Sequence, residues 1–265
     1  MHTLSNCEMK LLQPFGLQIS ANKSHADFAS LLKGEALSAL VQQHHLVLLR
    51  GFAALQKEKL VNYAASIGPL LEWEFGNVME MRVQHEPKNY LFTHGHVPFH
   101  WDGAFHHVPR FLLFHCIEAP EKTAGGETIF CDTHRIWRHA NTQEKAKWPL
   151  YTLTYSTDKL AYYGGQIRVP LVQTHPFTHK TILRFAEPVP ASMLNPVDVF
   201  VENTDENTAK KLIQTLSARC YQPENCYVHT WQQHDFLVAD NHALLHARHA
   251  FKAFSPRHLR RIQIL

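Results

Sequence analysis

The sequence predicts a mainly β (α+β) fold, a barrel or jelly roll wrapped by a few helices. Short runs of β-branched and aromatic residues recur from residue 110 to the end, punctuated by Gly, Pro and Asn. Helical spacing of apolar residues is confined to residues 25–43, 55–66 and 205–218. No repeat, low-complexity tract or Gly/Ser linker divides the 265 residues, so 1–265 is read as one domain, and 45% hydrophobic content supports one sizeable core.

Taken in order, "HADFASLLKGEALSALVQQ" (25–43) has the spacing of a helix, and "LVLLRGF" (46–52) reads as a buried strand ended by Gly51. "LQKEKLVNYAAS" (55–66) reads as a second helix, stopped by "IGP". Strands are expected at "RFLLFHCI" (110–117), "ETIFCD" (127–132), "LYTLTYS" (150–156), "IRVPLVQT" (167–174) and "KTILRF" (180–185). Within them, "PLVQTHPFTHKTILRF" reads as two strands joined by a turn. Helix returns at 205–218, where Asp205 is a candidate N-cap ahead of an acidic first turn. "HDFLVADN", "HALLHARHAF" and "LRRIQIL" read as closing strands.

Composition narrows the function. A net charge of +3 calls for no polyanionic partner, and the one dense basic run, "RHLRR" (257–261), enters an alternating strand, so no nucleic-acid role is expected. Five cysteines without a C-x-x-C pair suit reduced thiols better than a disulfide framework. No signal peptide and no apolar run near 18 residues is visible, so a cytoplasmic protein without a membrane span is expected. Nothing fixes the oligomeric state.

The chemistry concentrates in "FHWDGAF" (99–105). In extended backbone, residues two apart point the same way, so His100 and Asp102 present an imidazole and a carboxylate to one point while Trp101 turns away. Gly103 permits a sharp turn after them. His246 in "DNHALLH" is the best third partner, and two histidines with one carboxylate make the facial triad of non-haem Fe(II) sites. A bland alternative is a hydrogen-bonded His–Asp pair at a strand end. Another is a zinc site from His94, His96 and His100 with hydrolytic chemistry. A third is a binding barrel without catalysis. Arg257 and Arg261 fall on one face of the last strand, where buried guanidinium groups need an anion, such as the carboxylate of an oxoacid.

"FHWDG", then "APEKTAGGETIF", "DNHALLH" and a closing arginine-bearing strand resemble, in this order, the taurine dioxygenase-like (TauD/TfdA) superfamily of Fe(II)/2-oxoglutarate oxygenases. "VLLRGF" and the "THPFTHKTILRF" hairpin are similar too, so the resemblance spans roughly residues 30–265. It implies a double-stranded β-helix (jelly roll) with surrounding helices, and a dioxygenase using Fe(2+), 2-oxoglutarate and O2. Carried over, His100, Asp102 and His246 would bind iron, Thr128 would hydrogen-bond 2-oxoglutarate, and Arg257 would pair with its far carboxylate. Arg261 would stand beside the cosubstrate or the substrate. Two departures stand out: His242 replaces the arginine usual in "DNR", and the register among Arg257, Arg260 and Arg261 is open.

Within the superfamily, the "HWDGAF" core looks most like the oxygenases of bacterial isonitrile pathways (paerucumarin and rhabduscin type). That resemblance implies conversion of tyrosine isonitrile to a vinyl isonitrile, with sulfonate oxygenation or amino-acid β-hydroxylation as alternatives. Such a small-molecule substrate needs a cation for its carboxylate, from Arg261 or Lys159, and an aromatic cradle. Phe99, Phe105, Tyr162, Tyr163 and Trp73 are candidates for the cradle, with His94 and His96 near the substrate.

Overall fold

The computed structural model describes residues 7–22, 26–161, 164–253 and 255–265. Its N-terminal part comprises β1 (Cys7–Leu11), β2 (Leu17–Ala21), α1 (Phe28–Leu31), α2 (Gly34–His44), β3 (Leu46–Arg50), α3 (Lys57–Ala65) and β4 (Met79–Met81). Next come β5 (Val97–His100), β6 (Phe111–Glu118), β7 (Thr128–Asp132), α4 (Thr133–His139) and α5 (Thr142–Lys147). The middle holds β8 (Thr152–Ala161), β9 (Gly164–Pro170), β10 (Val172–Thr174), β11 (Thr181–Leu183), β12 (Asp198–Val201) and α6 (Glu206–Cys220). The chain closes with β13 (Cys226–His229), β14 (Phe236–Asp240), β15 (Leu244–Arg248) and β16 (His258–Ile264).

Two sheets form the jelly roll. One has seven strands in the order β1-β2-β3-β14-β6-β16-β4, the other four in the order β13-β7-β15-β5. Period-2 alternation sorts their side chains into three layers of core. Leu46, Leu48, Phe114, Leu237 and Leu259 meet Phe130 and Leu244 between the sheets. Val47, Leu49, Leu113, Val238 and Ile262 face the other way, against α1–α3. Ile129, Cys131, Leu245 and Ala247 cover the outside of the smaller sheet, packing against α4, α6 and the β12-β8-β9 sheet.

Most expected elements are present. The hairpin is β10–β11, and the Asp205 side chain caps α6 by accepting from Thr208 N. The expected helix at 25–43 is two helices instead, because Leu32 and Lys33 adopt extended backbone between α1 and α2. The segment 167–174 likewise divides into β9 and β10, which pair with different partners. All five cysteines are free thiols, and among the described residues no helix is long and apolar enough to cross a membrane.

Candidate functional site

The ends of three strands converge inside the barrel. β15 pairs with both β5 and β7, and His246 lies opposite His100 in that register. Their rings are 4.2 Å apart between centroids. Asp102 Oδ1 is 3.8 Å from His100 Nε2 and 3.7 Å from His246 Nε2. Trp101 turns outward into the core behind the smaller sheet, where it meets Tyr155 edge-on. After Asp102 the chain reverses at Gly103 (φ +82°), where any Cβ would stand 2.2 Å from His107 O.

His100 Nδ1 donates to Pro98 O at 2.9 Å, which leaves Nε2 unprotonated, and Nε2 is buried without a hydrogen-bond partner. Burial lowers the pKa of His100, and lowers that of His246 well below the ordinary range, so both rings are neutral. Burial opposes the charge of Asp102. Arg261, together with the hydrogen bond from Gln263, outweighs it and holds the carboxyl below its usual pKa. Two neutral imidazoles and one carboxylate, with ligand atoms within 4.8 Å of one another, fit a divalent transition metal.

The backbone of Asp102 is held by Asn241, whose Oδ1 accepts from Asp102 N at 2.9 Å and whose Nδ2 donates to Asp102 O at 3.1 Å and Pro109 O at 2.9 Å. Its neighbour His242, the departure from "DNR", accepts from Arg184 at 3.0 Å. Arg184 fills the space behind Trp101, with its guanidinium 5.3 Å from the ring centroid. A surface cleft of about 760 Å³ opens there, lined by Arg184, His242 and Trp101, but none of the three converging side chains borders it.

Beside the triad lies a narrower cavity lined by Thr128, Arg248, Arg257 and Arg261. Arg257 is only 6% exposed and pairs with no carboxylate among the described residues; it donates to Gly126 O at 2.9 Å and Thr128 Oγ1 at 3.4 Å. Burial, then the nearby Arg248, pushes its pKa down to about 9. Thr128 Oγ1 accepts from both Arg257 and Trp231 Nε1, so its own proton is left for an acceptor in the cavity. Arg248, also buried, donates to Leu91 O, Thr93 O and Gly95 O and so pins the segment above the cavity.

The three arginines at the last strand face different ways. Arg260 points away and pairs with Glu80 at 3.3 Å, while Arg257 and Arg261 face the cavity. Arg261 reaches Asp102 Oδ2 at 2.9 Å.

Several expected substrate contacts fall elsewhere. Phe99 is fully buried in the outer core and packs on Tyr221, because the β5 pleat turns it away from His100. Lys159 is exposed on β8, and Phe105 packs against the outer core. Tyr162 and Tyr163 lie outside the described residues. His94 packs edge-on against Phe251, and His96 is 3.2 Å from Tyr221 Oη, so they do not converge with His100 as a zinc site requires.

The profile of the taurine catabolism dioxygenase TauD, TfdA family matches residues 10–263. The chain belongs to this family. It is 47% identical, over 97% of its length and 95% of the relative's, to the 3-((Z)-2-isocyanoethenyl)-1H-indole synthase of Fischerella ambigua. It is 37% identical to the tyrosine isonitrile desaturase of Pseudomonas aeruginosa, over 88% of this chain and 81% of that one. Among solved structures it is similar to PvcB, described as an Fe, alpha-ketoglutarate dependent oxygenase from an isonitrile synthetic pathway. The TM-score is 0.81 at 32% identity, covering 98% of this chain and 92% of that one. The double-stranded β-helix expected from the sequence is therefore the fold.

Proposed function

We propose that this protein is a 2-oxoglutarate-dependent non-haem iron dioxygenase that desaturates an aromatic amino-acid isonitrile with loss of its carboxylate. The observation that carries the reading is the triad of His100, Asp102 and His246 beside the buried guanidinium of Arg257, which pairs with no carboxylate among the described residues. His100 Nε2, Asp102 Oδ1 and His246 Nε2 would hold Fe(2+), and three ligands leave three positions for cosubstrate and O2. The bound iron would supply the oxidant for C–H cleavage, in concert with O2 and 2-oxoglutarate.

The rest is work of the protein's own side chains. Arg257 takes the far carboxylate of 2-oxoglutarate through its planar fork, and Thr128 donates its free hydroxyl proton to the same ligand. Arg261, whose Nε is buried without a partner, stands ready for a second carboxylate. Arg248 keeps the 91–95 segment closed over the cavity, which limits water at the reacting centre. The overall balance is ArCH2–CH(NC)–COOH + 2-oxoglutarate + O2 → ArCH=CH–NC + succinate + 2 CO2 + H2O.

Tyrosine isonitrile is the substrate expected from the sequence. The likeness to the 3-((Z)-2-isocyanoethenyl)-1H-indole synthase of Fischerella favours tryptophan isonitrile as a second reading. Residues 1–265 act as one domain on this small molecule, in the reducing cytoplasm and without nucleic acid or membrane. The test is anaerobically reconstituted protein given both isonitriles, with succinate and the organic product followed by mass spectrometry. Succinate formed in step with a vinyl isonitrile supports the reading, and the faster substrate identifies the ring. Succinate formation indifferent to either isonitrile would refute the substrate class.

A further inference from the structure

The two carboxylate oxygens of Asp102 have different surroundings. Oδ1 is the oxygen nearest both imidazole nitrogens, at 3.7 and 3.8 Å. Oδ2 accepts from Gln263 Nε2 at 2.6 Å and lies 2.9 Å from Arg261 Nη1, which also donates to Oδ1 at 3.1 Å. Gln263 is a polar residue on the inner face of β16, in step with Leu259 and Arg261, while Ile262 and Ile264 point to the opposite core. At 4% exposure it has no ready exchange with water, so its amide needs partners within the protein.

It has two. Trp73 Nε1 donates to Gln263 Oε1 at 3.0 Å. An indole nitrogen can only donate, so the group facing it must be the amide oxygen, and the NH2 must therefore face Asp102. Trp73 is itself fixed by stacking on Phe75 and by contact with the ring of His106, in the loop that follows Asp102.

We propose that Gln263 and Trp73 are positioning residues for the carboxylate ligand: Trp73 orients the amide, and the amide engages Oδ2 so that only Oδ1 is presented to the metal. This rests on the iron reading above. A carboxylate that offers the metal one oxygen keeps open the coordination positions that the cosubstrate and O2 require. Without the amide, the carboxylate is free to turn or to offer both oxygens. Partners of this kind change metal affinity by about 10- to 100-fold when removed.

The test is titration of metal-free protein with Co(II), read by its visible d–d absorption, in the wild type, Gln263→Met, Trp73→Phe and the double variant. Gln263→Met retains volume; Gln263→Leu serves as a second variant if it melts early. The proposal expects about 10- to 100-fold weaker Co(II) binding in Gln263→Met with an altered d–d band. Trp73→Phe should lose less, and the double variant should be no weaker than Gln263→Met alone, because Trp73 acts through the amide. Wild-type affinity and spectrum in a folded Gln263 variant, or losses that multiply in the double variant, would overturn the relay alone. A wild type that binds no Co(II) would overturn the metal site and the relay with it.

Discussion

Replacing Arg257 with methionine should stabilise the metal-free protein while raising its requirement for 2-oxoglutarate. Burial, then Arg248, pushes the pKa of the guanidinium from its ordinary value down to about 9. At about 1.4 kcal/mol per pH unit, holding that charge inside costs the folded state roughly 5 kcal/mol. The group is protonated in both folded and unfolded chains at pH 7. The penalty is thus present throughout the range below about 9 and is relieved only as pH rises through that value. Methionine removes it but gives up the bonds to Gly126 O and Thr128 Oγ1, at about 1 kcal/mol each, and leaves the carbonyl unsatisfied for roughly another 1 kcal/mol. The net gain is about 2 kcal/mol, or roughly 4–8 °C in Tm for a chain of this size. Differential scanning calorimetry of the metal-free proteins measures it directly. In scans with Mn(II) present in both, adding 2-oxoglutarate should raise the wild-type Tm further and at the same concentration add little to that of Arg257→Met. A variant that melts lower than wild type and still gains stability from 2-oxoglutarate would refute the assignment of Arg257 as an anion site.

Three further outcomes are expected. His100→Ala, Asp102→Ala and His246→Ala should each abolish Fe(II)-dependent succinate formation in folded protein, and full activity in any one removes that residue from the ligand set. Gly125→Ala should cost roughly 2–4 kcal/mol in a urea titration, because the residue sits at φ +85° with Ala250 O only 2.3 Å from a Cβ; an unchanged midpoint would contradict the geometry. Under native conditions a thiol reagent should modify Cys7 first, since the other four cysteines are buried, and all five only after denaturation.

Much of the site was legible because its chemistry is written in short range. "HWD" puts two candidate ligand atoms on one face by strand alternation alone, and "AGGET" announces a tight approach, since Gly126 lies against Arg257. The residues that escaped are those whose partners lie far along the chain. Asn241 holds Asp102 across 139 positions, and Trp73 meets Gln263 across 190. Gln263 did carry a signal: with Ile262 and Ile264 facing one core, the residue between them shares the face of Arg261. His242, in the place of the usual arginine, accepts from Arg184 across 58 positions, a partner too far along the chain to be read from local sequence.

The fold shows the same division. The central strands β3, β6 and β14 are nearly continuous apolar runs and were readable as such. The edge strand β1 is almost wholly exposed and lacks that pattern. Helices α4 and α5 are too short for a clear 3.6-residue period, although the capping box from Asn141 to Glu144 marks the start of α5 in the sequence itself.

The central claim is that the triad and the arginine cavity together bind iron and 2-oxoglutarate, and anaerobic addition of both to metal-free protein tests it most directly. The account predicts a weak visible charge-transfer band from the chelate, lost in Asp102→Ala and requiring far more 2-oxoglutarate in Arg257→Met. Folded wild-type protein that gives no band at saturating Fe(II) and 2-oxoglutarate would contradict it.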